Sequence, residues 1–144
     1  MNINFGRAVI AGVVGTVVMT MVGLYMAPMM GIPAMNPAAM LAGAMGGNMA
    51  LGWAGHFMIG ITLAVAYAVV GRHLPGPTFA KGALFGLAPY VMAQIIVMPM
   101  MGMPIFSGSV SMAMGSLIGH LIYGAVVGGV YGEAAESQPV PAAA

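Results

Sequence analysis

Four apolar runs, Ala8 to Met26, Asn48 to Gly71, Phe79 to Met98 and Ser109 to Tyr131, carry no Lys, Arg, Asp or Glu in their cores. A helix that crosses a bilayer needs about 20 mainly apolar residues at a rise of 1.5 Å each, and all four runs meet that length. The chain is 3% charged, against roughly 25% for a soluble domain, so no water-facing surface can be built from it. The expected fold is all-α, a bundle of four transmembrane helices in one domain over residues 1–132. Residues 133–144 form a polar, Pro/Ala-rich tail, too short for a domain and suited to a cytoplasmic end or a docking peptide.

Orientation follows from the few charges. Arg7 precedes the first run, while Arg72, His73 and Lys81 flank the short second connection, so threading four helices places every Lys and Arg on one side. The positive-inside rule makes that side cytoplasmic, with both termini inside and the two Pro/Met-rich connections, 27–47 and 99–108, outside. Arg7 ahead of an apolar stretch also has the look of a signal peptide. No small-x-small cleavage site follows, and we read a retained helix in the inner membrane of a bacterium. A net charge of +1 recommends no nucleic-acid partner, and the lack of Cys removes disulfides, thiolate metal sites and Cys nucleophiles together.

The sequence repeats itself. Pro28-Met29-Met30-Gly31-Ile32-Pro33 recurs as Pro99-Met100-Met101-Gly102-Met103-Pro104. Upstream, Arg7 and Gly12 match Lys81 and Gly86. Downstream, Gly55-His56 with Gly60 and Tyr67 matches Gly119-His120 with Gly124 and Tyr131. Two helical hairpins of the same topology follow, about 7–71 and 81–132, with an expected pseudo-twofold axis along the membrane normal. The first hairpin has a longer outer segment, where Asn36-Pro37 predicts a helix start and 38–45 a short surface helix.

Small residues predict how the helices meet. Lipid gives helices no hydrophobic gain on association, so close backbone approach at small-xxx-small spacing supplies dispersion contacts instead. Gly115, Gly119, Gly124, Gly128 and Gly132 mark the fourth helix, Ala8, Gly12 and Thr16 the first, and Gly52, His56 and Gly60 the second. These stripes serve packing within one bundle first and leave a homo-oligomer open. Pro89 should loosen the third helix by freeing the Phe85 carbonyl.

His56 and His120, about 12 and 17 Å deep from the outer ends at the helical rise, are the ionisable groups left inside the membrane. Gln94 lies at similar depth. The histidines are open to three readings: neutral side chains bonded to a neighbouring helix, axial ligands of haem, or metal ligands together with thioethers. The third draws on the Met distribution. Of 18 Met, seven fall in 26–49 and six in 98–114, at the predicted outer ends. Thioethers select Cu(I), which makes Met29, Met30, Met100, Met101 and Met103 candidate ligands beside His56 and His120. Met is equally an adaptable apolar filler. Trp53, Tyr25 and Tyr90 suit anchoring or packing.

Catalytic constellations are missing. The Ser residues near His120 have no carboxylate to orient a triad, no Lys-Ser/Thr follows a glycine loop, and no core carboxylate is available for a proton relay. An enzyme is not expected. Through its Met-Gly-x-Pro segments and Gly-His helix start, the whole chain resembles small four-helix bacterial inner-membrane proteins of unassigned function. That resemblance implies a fold and no activity. The leading reading is a non-catalytic accessory or scaffold subunit packed against other membrane subunits of a larger energy-transducing or electron-transfer complex, without a cofactor. Behind it stand an outward-facing Cu(I) or haem protein using His56, His120 and the paired Met motifs, and a small permease or channel.

Overall fold

The computed structural model of the chain describes residues 3–132. The expected tail, 133–144, lies outside the described residues. Within them the protein is all-helical, with four helices long and apolar enough to cross a membrane: Phe5–Met29, Met49–His73, Thr78–Met100 and Val110–Tyr131. The regular α segments are α1 (Phe5–Met21), a single turn α2 (Ala27–Met29), α3 (Pro37–Ala44), α4 (Met49–Val70), α5 (Thr78–Met92), a second single turn α6 (Met98–Met100) and α7 (Val110–Tyr131).

Local chemistry sets most of the boundaries. The first backbone N–H groups of a helix have no intrahelical acceptor, and short polar side chains satisfy them. Asn4 accepts from the Arg7 N–H at 3.0 Å, Asn36 from Ala39 at 3.0 Å, and Asn48 from Ala50 and Leu51 at 3.0 and 3.2 Å. Ser109 opens α7 by accepting from Met112. The predicted surface helix after Asn36-Pro37 is α3. Its Ala38 and Ala42 are buried where α3 lies across α4 at Gly52, whose missing side chain leaves room for the Ala38 carbonyl.

Between α1 and α2, and again between α5 and α6, the helix widens into a five-residue π segment, Val22–Met26 and Ala93–Val97. Each precedes a proline in the following turn, Pro28 or Pro99. Proline offers no N–H and its ring crowds the carbonyl four residues back, Leu24 or Ile95, which lies inside the widened turn. The repeated Pro-Met-Met-Gly-x-Pro motif then ends the helix. Gly31 and Gly102 adopt φ of 75° and 76°. The N–H of Gly31 bonds to Pro28 O and that of Ile32 to Ala27 O, and Gly102 and Met103 bond likewise to Pro99 and Met98, all at 3.0 Å. This is a Schellman stop followed by proline, formed twice from the same residues.

Glycine contacts join the bundle where the repeat aligned them. Gly12 on α1 faces Gly60 and Ile61 on α4, and Gly82 and Gly86 on α5 lie against His120, Gly124 and Gly128 on α7, backbone to backbone. α1 also packs broadly on α7, where Gly15 abuts the Tyr123 ring and Val127. The matching contact between α4 and α5 is thin. The two hairpins are therefore not packed alike: the seam between α1 and α7 is closed and that between α4 and α5 is open. At the end that carries Arg7, Arg72 and Lys81, Tyr67 and Tyr131 are buried edge to face with centroids 6.1 Å apart, and Phe85 adds a second edge contact to Tyr67 at 5.4 Å. Arg7 Nε donates to Val130 O at 2.8 Å, placing a cation on the C-terminal carbonyls of α7, where the helix dipole favours it.

Candidate functional site

The open seam and the aromatic cluster delimit a cavity of about 170 Å³ in the half of the bundle that holds the methionines. Its walls come from α1 (Thr16, Met19), the connection into α3 (Met35), α3 itself (Pro37, Met40), α4 (His56, Ile59, Leu63), α5 with its π segment (Pro89, Met92, Gln94), and α7 (Ser116, Gly119, His120, Tyr123). The cavity is partly open, and α4 and α5, which scarcely touch, both contribute to its walls.

His56 is 7% exposed, and its Nε2 lies 3.0 Å from the Thr20 hydroxyl. That hydroxyl donates to Thr16 O at 2.7 Å. With its one proton so engaged, the Thr20 oxygen accepts from Nε2–H of His56, which leaves Nδ1 as a bare lone pair. His120 is set the opposite way. Its Nδ1 stands 2.8 Å from the Ser116 carbonyl, which can only accept, so Nδ1 carries the proton and Nε2 is bare. The Tyr90 ring meets the His120 ring edge-on at 5.9 Å. In their uncharged forms the two imidazoles are thus of opposite tautomer, and both line one cavity.

In the sequence only its depth marks Gln94. It is fully buried, sits in the second π segment, donates to Ser116 Oγ at 2.9 Å and accepts from Ser107 Oγ at 3.1 Å. Those bonds hold the loop at Phe106 and Ser107, both of which have positive φ, 54° and 59°. The aligned position in the first π segment is Gly23, whose carbonyl accepts from Met35 N–H at 3.0 Å. One hairpin fills the place with the backbone of its longer connection, the other with an amide side chain. Tyr123 completes the polar set, its hydroxyl donating to Gly60 O.

The structure divides the candidate ligands. His56, His120 and Met101 line the cavity together. Met29 and Met100 are 86% and 82% exposed and Met30 is exposed, because the Schellman turn points them off the bundle, while Met103 is half-buried outside the cavity lining. Six cavity methionines escaped the motif reading: Met19, Met35, Met40, Met92, Met98 and Met112. They come from four separate segments and share no spacing. No three of His, Cys, Asp or Glu gather as a metal cluster among the described residues. The cavity is close in volume to the roughly 150 Å³ that encloses one benzene ring.

Fold and site together define an all-helical integral membrane protein with four apolar spans and a largely apolar cavity that holds a few polar side chains. The chain belongs to the family described as "Family of unknown function (DUF6789)", which matches residues 3–141. No curated protein and no solved structure matches it.

Proposed function

We propose that this is a non-catalytic membrane protein whose task is to bind a small ligand in the cavity between α4 and α5. The observation that carries the reading is the convergence of His56, His120, Gln94, Ser116 and Tyr123 on an otherwise apolar cavity, since buried polar groups in a membrane are costly and mark functional sites. A purely structural role accounts for one nitrogen of each imidazole, through Thr20 and Ser116, and leaves the second nitrogen of each without a task. The buried Tyr67 and Tyr131, with the partly buried Phe85 against Tyr67, close the basic end, which favours binding over passage through the bundle and so speaks against a permease or channel. Native mass spectrometry of the gently solubilised chain tests this. A stoichiometric added mass, lost in His56→Gln and His120→Gln, is the expected result; a folded chain at its bare mass in every mild detergent contradicts it.

A second observation favours the accessory-subunit reading. α5 belongs to the least buried span, and Leu84, Leu87, Val91, Ile95 and Ile96 are exposed. We propose this span as the side that meets other membrane subunits in the bacterial inner membrane, with both termini cytoplasmic. Cysteines placed at Leu84 and Val91 should crosslink to another polypeptide in native membranes. Crosslinks to lipid alone would sink the idea.

A further inference from the structure

We infer that the ligand of this cavity is a soft monovalent cation, Cu(I), held by Nδ1 of His56, Nε2 of His120 and the thioether of Met19. The inference rests on the reading of the cavity as a binding site and adds the identity of its occupant. Both bare nitrogens are lone-pair donors, because in each uncharged ring the other nitrogen donates to an oxygen, Thr20 Oγ1 at 3.0 Å or Ser116 O at 2.8 Å. A ring N–H donated to an oxygen is the usual outer-shell arrangement of a metal-ligating histidine, fixing its tautomer and orientation. Met19 lines the same cavity as the two rings. It precedes Thr20, the partner of His56, and its side chain lies over Gly119, the neighbour of His120. Met35 and Met101 line the same space and supply further sulfur.

Charge and softness select the ion. Among the described residues no carboxylate or thiolate reaches the cavity, so its donors are neutral. Ca²⁺ and Mg²⁺ require several oxygen ligands, and a structural Zn²⁺ site draws four ligands from Cys, His and carboxylates. The cost of moving an ion out of water rises with the square of its charge, which penalises every divalent ion in a neutral site within the bilayer. Thioether and imidazole together favour Cu(I). The bare nitrogens could also accept from a protic organic ligand, but such a ligand has no use for the sulfur atoms around it. Binding needs no electron transfer: Cu(I) enters as Cu(I), and each donor contributes a lone pair.

The test is an anaerobic titration of the full-length chain in lipid nanodiscs with Cu(I) against a competing Cu(I) chelator, repeated with Ag(I), which is soft and redox-inert. One ion per chain is expected. His56→Gln and His120→Gln should each weaken binding at least about tenfold, and Thr20→Val, which removes the partner of the His56 ring together with a local bond to Thr16 O, by about 10–100-fold, with Thr20→Ser restoring it. Met19→Leu, nearly isosteric, keeps the fold and should weaken Cu(I) severalfold. Met29→Leu, Met30→Leu, Met100→Leu and Met103→Leu together should change nothing. Metal retained by the histidine variants but lost from this last variant would move the site to the helix stops and overturn the inference. No Cu(I) or Ag(I) uptake, with an organic mass still bound in native spectra and released by His56→Gln, would overturn the ion and keep the binding site. A chain that takes up neither would end both.

Discussion

Gly31 and Gly102 show what single residues decide here. Each ends a membrane-spanning helix at a φ near 75°, a conformation that costs an L-residue about 1–2 kcal/mol. Gly102→Ala is expected to lower the unfolding free energy by about that amount, whereas Met100→Ala, on a side chain 82% exposed, should stay within about 0.5 kcal/mol. Denaturant titrations of the two variants in one detergent would compare them, and equal losses would contradict the account of the motif. The same contrast explains what the sequence could and could not disclose. Met-Met-Gly-x-Pro was visible twice, and its Met residues suggested soft metal ligands. The backbone bonds from Gly31 and Ile32 to Pro28 and Ala27 give the motif a sufficient reason in helix termination. His56 and His120 were legible because ionisable residues are so rare in such runs. Met19 and Met35 were not, because nothing in their spacing says that they share a cavity.

Elements meet through backbone rather than side chains, which makes the seams unequal in tolerance. A side chain at Gly82 would run into the Gly124 carbonyl of α7, while one at Gly43 on α3 would meet open space. Gly82→Val should therefore cost about 1–3 kcal/mol or more by overpacking, and Gly43→Ala should stabilise by about 0.4–1 kcal/mol through the unfolded chain. Thermal unfolding followed by circular dichroism ranks the pair, and a neutral Gly82→Val would remove the α5–α7 crossing from the account. Helix ends were readable from Asn36, Asn48 and Ser109, whose side chains carry the capping bonds. Glycine stripes were readable too, but not their partners. Gly119 and Gly115 face the side chains of Met19 and Met35 rather than another helix backbone, since the partner depends on how all four spans pack. The π segments were not foreseen. Proline at 28 and 99 signals a disturbed ladder, and the groups that meet the widened turns are distant in sequence, Met35 in one case and Ser107 with Ser116 in the other.

The whole molecule is defined by four spans with every Arg and Lys of its described residues at one end. Because the chain has no cysteine, single substitutions report topology without background. Met45→Cys and Pro75→Cys, in the first and second connections, should react with a membrane-impermeant thiol reagent from opposite faces of the membrane; labelling from the same face would break the four-span reading. The near-repetition of two hairpins accounts for Gly12 and Gly60 recurring as Gly86 and Gly124 at the crossings, and for Tyr67 meeting Tyr131. It does not account for the open seam between α4 and α5, where α1 and α7 are closed. That asymmetry makes room for a cavity to which both hairpins contribute one imidazole. Its most direct test is ¹⁵N nuclear magnetic resonance of the ring-labelled histidines in bilayers. Two neutral imidazoles of opposite tautomer, protonated at Nε2 in His56 and at Nδ1 in His120, with both bare nitrogens shifting together as Ag(I) is added, are the predicted result. Identical tautomers, or bare nitrogens that respond separately, would contradict a shared site.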